Sequence, residues 1–183
     1  ESWFGEGSDL SDTVGHVRFL PVPAPDEIGR GSCECEFKFD VTLRPGTPFV
    51  ASPFFVWGGT YEDPLVLDDN PADPVLEEIF KTTQIKVVLD DRVLMAGTGT
   101  ELERFRYGPV YFDEPIVFPG PVRPGNSTSA IFVVGIGAVY RPLPVGQHTL
   151  VYTVSSPLLN LDHMFTYNIT VSPQRGHRHR HTK

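Results

Sequence analysis

Long apolar runs, internal repeats and catalytic motifs are all lacking in this chain. No apolar run approaches the roughly 20 residues that a membrane-spanning helix needs, so we expect no membrane span. No fixed period recurs, which disfavours a solenoid or a propeller. There is no Gly-x-Ser-x-Gly nucleophile elbow, and Gly97-Thr-Gly-Thr lacks the lysine of a phosphate-binding loop. The sequence therefore favours a role other than catalysis.

Positive charge is scarce outside the C-terminal segment. The net charge is −8, yet residues 173–183 carry Arg175, Arg178, Arg180 and Lys183 and no acid, so the rest of the chain carries −12. A body this acidic repels phosphate backbones and anionic lipid surfaces. We therefore expect no nucleic-acid partner.

Proline and glycine are abundant, with 18 and 17 residues in a chain of 183. They leave little room for long helices and favour short strands joined by turns. A chain of this length can bury a core and is expected to form one domain. We predict a mainly β fold.

Alternation of apolar and polar residues marks the clearest strand. In residues 33–43 the odd-numbered positions are apolar and the even-numbered ones polar, which predicts one core face and one solvent face. Residues 49–57 form a second apolar run, where Pro53 predicts a bulge or an edge position because it lacks an N–H. Such runs predict about nine or ten strands in an antiparallel β-sandwich, immunoglobulin-like or jelly-roll.

One helix start signal stands out. Asp73 supplies an N-cap acid, Pro74 occupies the first helical position, and two acids follow in the first turn. We predict a short helix near residues 74–81.

Two runs near the C terminus predict a closing β-hairpin. They are Leu143-Pro-Val-Gly-Gln-His-Thr-Leu-Val-Tyr-Thr-Val and Phe165-Thr-Tyr-Asn-Ile-Thr-Val, both rich in β-branched and aromatic residues. The hairpin, within residues 141–172, resembles the last two strands of the immunoglobulin-like sandwich modules of secreted and cell-surface proteins. This resemblance implies an architecture rather than a chemistry.

The chain is predicted to have three parts. Residues 1–32 form an extended N-terminal arm, whose candidate strand at residues 17–22 is expected to lie along the edge of the sandwich. Residues 33–172 form the β-sandwich domain. Residues 173–183 form a basic His/Arg tail that is expected to be disordered.

Secretion is the predicted localisation. The chain begins at Glu1 without an initiator methionine, which fits a mature form after removal of a signal peptide. Asn126-Ser-Thr and Asn168-Ile-Thr are glycosylation sequons, the first in a turn and the second on the polar side of the last strand. We predict Asn126 and Asn168 as glycosylation candidates.

Cys33 and Cys35 are the two cysteines of the chain. In a strand they share one face with Cα atoms about 6.5–7 Å apart, which is the outer limit of disulfide geometry. Unpaired thiols, a strained disulfide, an intermolecular disulfide and metal binding all stay open at this point.

Two constellations could carry chemistry. Asp68, Asn70 and Asp73 could place hard oxygens around Ca²⁺, although a solvated loop that ends in a helix cap explains the same residues. His148 and His163 could act as bases beside nearby carboxylates, although an isolated strand histidine is more often structural.

Four aromatic residues with a polar edge are candidates for a sugar-stacking surface or for the core, namely Trp57, Tyr61, Tyr107 and Tyr111.

The favoured function is a secreted or cell-surface sandwich protein with a structural or binding role, a self-associating subunit of an extracellular assembly. Its edge strands would offer backbone hydrogen bonds to a neighbour. The alternatives are a small secreted enzyme on a jelly-roll scaffold with a His/carboxylate pocket, and a carbohydrate-binding module.

Overall fold

The computed structural model describes residues 13–14, 16–22, 34–63, 65–122 and 126–172. Within them ten strands form two five-stranded sheets. Sheet A has the order β1-β2-β4-β8-β7 and sheet B the order β3-β10-β9-β5-β6. The strands are β1 (Thr13–Val14), β2 (Val17–Phe19), β3 (Glu34–Leu43), β4 (Phe49–Tyr61), β5 (Gln84–Leu89), β6 (Arg92–Thr98), β7 (Arg106–Val122), β8 (Ser127–Tyr140), β9 (Gly146–Ser156) and β10 (Leu161–Val171). The predicted mainly β class is confirmed.

The strand pairing is mainly antiparallel, as predicted, with two parallel exceptions. Six described pairs are antiparallel, but β3 runs parallel to β10 and β2 runs parallel to β4. Both exceptions join strands that are distant in sequence, so no tight turn forces the antiparallel direction. The predicted hairpin of β9 and β10 is antiparallel, as expected.

The core lies between the two sheets. Sheet A contributes Phe49, Phe132 and Ile136, and sheet B contributes Leu150 and Ile169, all 2% exposed or less. The alternation in β3 is confirmed, since Val41 and Leu43 are buried while the intervening Thr42 is exposed. Burial of these side chains is the main stabilising contribution to such a sandwich.

Turn and cap chemistry follows the local sequence. Helix α1 (Pro74–Thr82) begins as predicted, with the Asp73 carboxylate accepting a hydrogen bond from the Val75 N–H. Asp90 and Asp91 have φ of 47° and 65° and join β5 to β6 in a tight turn. The β4–β8 register shifts between Ala51 and Phe54, which is the bulge expected at Pro53.

Part of the predicted arm belongs to sheet A. Strand β2 pairs with the start of β4, and the carbonyl of Pro21 accepts a hydrogen bond from the buried Tyr167 hydroxyl of sheet B. The predicted tail at residues 173–183 lies outside the described residues. None of the helices in the described part of the chain is long and apolar enough to cross a membrane.

Candidate functional site

The outer face of sheet A carries a group of aromatic rings that is separate from the core. Phe54 is 4% exposed and points to the core, so the odd-numbered neighbours Phe55 and Trp57 point to the opposite face of β4. The Trp57 ring lies 6.3 Å from the Phe55 ring and 6.2 Å from the Phe118 ring of β7. Phe55, Trp57 and Phe118, here called the aromatic cluster, are half-buried and lie outside the set of residues that make or line the core.

Further apolar side chains extend this face. In β8 the core-facing residues are Phe132, Val134 and Ile136, so Val139 points outward, where it is 66% exposed. Val110 of β7 pairs with the outward Val133 and is 50% exposed. Outward apolar side chains on three adjacent strands make this face unlike a solvated sheet surface, which normally carries polar residues.

The aromatic cluster borders an open sheet edge. Strand β8 pairs with β4 from Phe49 to Tyr61, whereas β2 pairs with β4 only at Phe49 and Val50. Beyond Val50, the described residues provide no strand on this side of β4. We call the lane beside β4 between Val50 and Gly59 the open edge.

Backbone groups at the two ends of the open edge are satisfied by other means. Leu20 donates its N–H to the Val50 carbonyl at 3.2 Å. At the far end, Gly59 donates to the Asp69 carboxylate at 2.8 Å, and the Asp69 N–H donates to the Gly59 carbonyl at 3.0 Å. Asp69 thus substitutes for a neighbouring strand at one residue only.

Asp69 also accepts a hydrogen bond from the Tyr61 hydroxyl at 2.9 Å. Partial burial of the phenol, this hydrogen bond and the nearby charges of Asp69 and Asp68 raise the pKa of Tyr61 to about 12. The phenol is therefore a permanent donor at physiological pH, and it helps to hold the carboxylate that caps the open edge.

His148 forms a clamp between two loops. Its Nδ1–H donates to the Asp90 carboxylate at 2.6 Å, and its Nε2–H donates to the Pro144 carbonyl at 2.9 Å. The other Asp90 oxygen accepts the Thr149 N–H. The hydrogen bond to Asp90 raises the pKa of His148; partial burial opposes the charged form, but the hydrogen bond to Pro144 and the charge of Asp90 also favour it.

His163 lies in a different environment. It is 4% exposed and makes edge-on ring contacts with Phe37 and Phe165, and burial lowers its pKa. His148 is paired with Ile169 on β10, six positions from His163, so the two histidines are about 20 Å apart along the strand. The structure does not bring the two predicted histidines into one pocket.

The candidate metal ligands make local hydrogen bonds. Asn70 accepts from the Ala72 N–H through its side-chain oxygen, and the Asp73 carboxylate caps α1. In the part of the chain that the structure describes, no group of three or more His, Cys, Asp or Glu side chains could hold a metal ion. The Ca²⁺ site predicted at Asp68, Asn70 and Asp73 stays a prediction, and the geometry does not strengthen it.

The predicted modification positions are exposed where they are described. Asn126 is exposed in a turn with φ of 57°, and Asn168 is exposed on the outer face of sheet B, where it donates to Asp40 at 2.9 Å. Cys35 is disulfide-bonded, and its candidate partner Cys33 lies outside the described residues.

The four aromatic candidates do not form a common platform among the described ring contacts. Trp57 contacts Phe55 at an interplanar angle of 43° and Phe118 at 71°, and none of the three tyrosines. Tyr107 makes a hydrogen bond to Ser52 at 2.8 Å over Gly135, and Tyr111 packs beside Phe132. Stacking on a sugar needs exposed, aligned rings, so this arrangement gives a carbohydrate site no support.

Comparison with protein-family models, with curated proteins and with solved structures finds no match for this chain. Sequence reasoning named Trp57 but missed Phe55, Phe118 and the open edge. The signal that could have found the aromatic cluster is the run Phe54-Phe-Val-Trp, whose apolar residues on both faces exceed what one core can bury.

Proposed function

We propose that this protein is a secreted β-sandwich subunit that self-associates through the outer face of sheet A. The aromatic cluster is the observation that carries this proposal. Aromatic side chains are the commonest anchors of protein interfaces, and they cluster where the contact excludes water. The exposed Val110 and Val139 widen the same face.

The strand arrangement supports an immunoglobulin-like topology within this proposal. Strands β3 to β10, taken as A, B, C, C′, D, E, F and G, give one sheet with G, F and C adjacent and another with B, E and D adjacent. His148 near the start of β9 bonds back to Pro144, four residues upstream, as the corner tyrosine does in immunoglobulin domains. Many immunoglobulin-like modules act by binding other molecules, which agrees with the apolar outer face of sheet A.

Exposure of the two sequons supports the secreted part of the proposal. A glycan on Asn168 would cover the outer face of sheet B and would leave the outer face of sheet A accessible. Mass spectrometry of protein purified from its natural source tests this point, and unmodified Asn126 and Asn168 would remove the support.

The experiment for self-association is sedimentation equilibrium over a wide concentration range. The native chain is expected to exceed its monomer mass of 20.3 kDa as concentration rises. The double variant Phe55→Ser with Trp57→Ser should dissociate at least about tenfold more readily, since interface aromatics are typical hot spots. Val93→Ser is the matched control, because Val93 is 52% exposed on β6 of the other sheet.

Thermal unfolding must show that the variants are folded. A native chain that stays monomeric at every concentration would overturn the proposal. Equal weakening by Val93→Ser and by the double variant would overturn the assignment to sheet A.

A further inference from the structure

The open edge presents unpaired backbone groups in a fixed direction. Gly59 points its N–H and C=O at Asp69, away from β8, whereas Thr60 points its carbonyl at the Ser127 and Thr128 hydroxyls of β8. Alternate residues of a strand point the same way, so Phe55 and Trp57 point both backbone groups into the open edge. In the described part of the chain, these four groups have no strand partner.

The lane is apolar on its outer side, where the aromatic cluster borders it. Near the Val50 end, the carbonyl of Pro21, two residues beyond β2, accepts a hydrogen bond from the buried Tyr167 hydroxyl of sheet B.

We infer that the open edge is a binding site for an extended peptide segment of another protein, which adds to sheet A as a strand beside β4. Among the described residues, the stretch between the Leu20 contact and the Asp69 contact leaves room for a strand of about five to seven residues. Both ends of this stretch are occupied, by Leu20 at Val50 and by Asp69 at Gly59, which favours a short segment over the edge of another folded sheet. A flexible segment that enters and leaves at these ends fits the space.

Charge defines the chemistry of this segment. Glu62, Asp63, Asp68 and Asp69 are exposed at the Gly59 end of the open edge. The partner segment therefore carries apolar side chains at alternate positions and lysine or arginine at the end beside these acids.

The outlying segments of this chain do not combine these properties. Residues 1–12 contain Glu1, Glu6, Asp9 and Asp12 and no lysine or arginine. Residues 173–183 are basic but contain no aliphatic side chain except that of Pro173, and residues 23–33 contain Ile28 as their only large aliphatic side chain, directly after Asp26 and Glu27. Sequence thus favours a separate polypeptide over a second copy of this chain.

This inference goes beyond the proposed self-association, because it concerns the backbone edge of β4 rather than the face of sheet A. The two can fail separately. Molar mass reports self-association, whereas peptide affinity reports occupancy of the open edge.

The test uses the full chain and a fluorescent peptide of about nine residues, alternating valine and threonine with lysine at both ends. Two derivatives carry four N-methyl groups each, one on residues 3, 5, 7 and 9 of the peptide and the other on residues 2, 4, 6 and 8. Alternate N–H groups of a strand point to opposite edges, so these peptides have equal composition and differ only in which edge can donate. Binding is measured by fluorescence anisotropy at a protein concentration where the chain is monomeric.

One methylated peptide is expected to bind about tenfold more weakly than the parent and the other about equally, because the facing edge loses its hydrogen bonds to β4. Amide signals of Phe55 and Trp57 in NMR spectra should shift with the parent peptide. A version with glutamate in place of lysine should bind more weakly. Equal binding by the two methylated peptides, shifts confined to other strands, or no binding by the parent would overturn the inference.

Discussion

The clamp formed by His148 and Asp90 makes the most specific prediction about stability. It links the β5–β6 turn to the start of β9 through a hydrogen bond of 2.6 Å. A hydrogen bond between charged groups contributes about 1.5–3 kcal/mol when well shielded. The Asp90 side chain is 46% exposed and the His148 side chain 12%, so solvent screening lowers the expected coupling to about 1 kcal/mol.

A double-mutant cycle isolates this coupling. Asp90→Asn keeps the acceptor for the Thr149 N–H and tolerates the left-handed backbone, with φ of 47°, while His148→Gln removes the ionisable ring. Urea unfolding of the native chain, both single variants and the double variant should give a coupling free energy of about 1 kcal/mol near pH 5.5.

The pH dependence of the coupling free energy follows from the pKa shifts of His148 and Asp90. The folded-state pKa of His148 is raised, mainly by its hydrogen bond to Asp90, so its stabilising contribution is complete below its unfolded pKa of about 6.5 and is lost as pH rises through the folded value. Partial burial opposes ionisation of Asp90, but the hydrogen bonds from His148 and Thr149 outweigh it and lower its pKa. Its contribution is therefore complete above about pH 4 and is lost as pH falls through the folded value.

The coupling should thus be largest between about pH 4 and pH 6.5 and smaller near pH 9. NMR titration should place the pKa of His148 above that of a model peptide in the native chain and nearer to it in Asp90→Asn. A coupling within error of zero near pH 5.5, or a lowered His148 pKa, would refute the reasoning.

Three other substitutions give expected stabilities by urea unfolding. Tyr140→Phe should stabilise the fold by about 1 kcal/mol, because the buried Tyr140 hydroxyl has no hydrogen-bond partner in the described structure. Burial also raises the pKa of this hydroxyl to about 12. A loss of stability in the variant would contradict this prediction. Gly135→Ala should destabilise by about 1–3 kcal/mol, because the added carbon would lie 2.5 Å from the Tyr107 hydroxyl oxygen and 2.7 Å from the Phe54 carbonyl oxygen; unchanged stability would show that these groups can move. Tyr167→Phe should cost about 1–3 kcal/mol and speed hydrogen exchange near β2, because it removes the hydrogen bond to Pro21; exchange unchanged near β2 would refute that link.

Local features of the fold could be predicted from the sequence. The alternation in β3, the Asp73 cap, the Asp90-Asp91 turn and the closing hairpin each depend on residues close together in the chain. Their backbone and side-chain preferences act over a few residues, so the sequence pattern contains the necessary information.

Long-range pairing could not be predicted in the same way. Alternation in β3 gives its core face but does not select β10 as its parallel neighbour, more than a hundred positions later. The sequence makes His148 a candidate beside an unspecified carboxylate, and only the fold brings Asp90, 58 positions away, to its Nδ1 atom.

The aromatic cluster could not be predicted from the sequence for a related reason. In residues 54–57 every side chain is apolar, so a period of two cannot distinguish the core face from the outer face. The open edge depends on where β2 ends beside β4, and a single sequence does not determine that position.

The most direct test of self-association through sheet A is hydrogen–deuterium exchange of the native protein, compared between dilute and concentrated solutions. We expect slower exchange at high concentration in residues 54–58 of β4 and around Phe118 of β7, with no change in β5 and β6 of the other sheet. Protection that is the same at both concentrations, or that rises only in sheet B, would contradict the proposed interface.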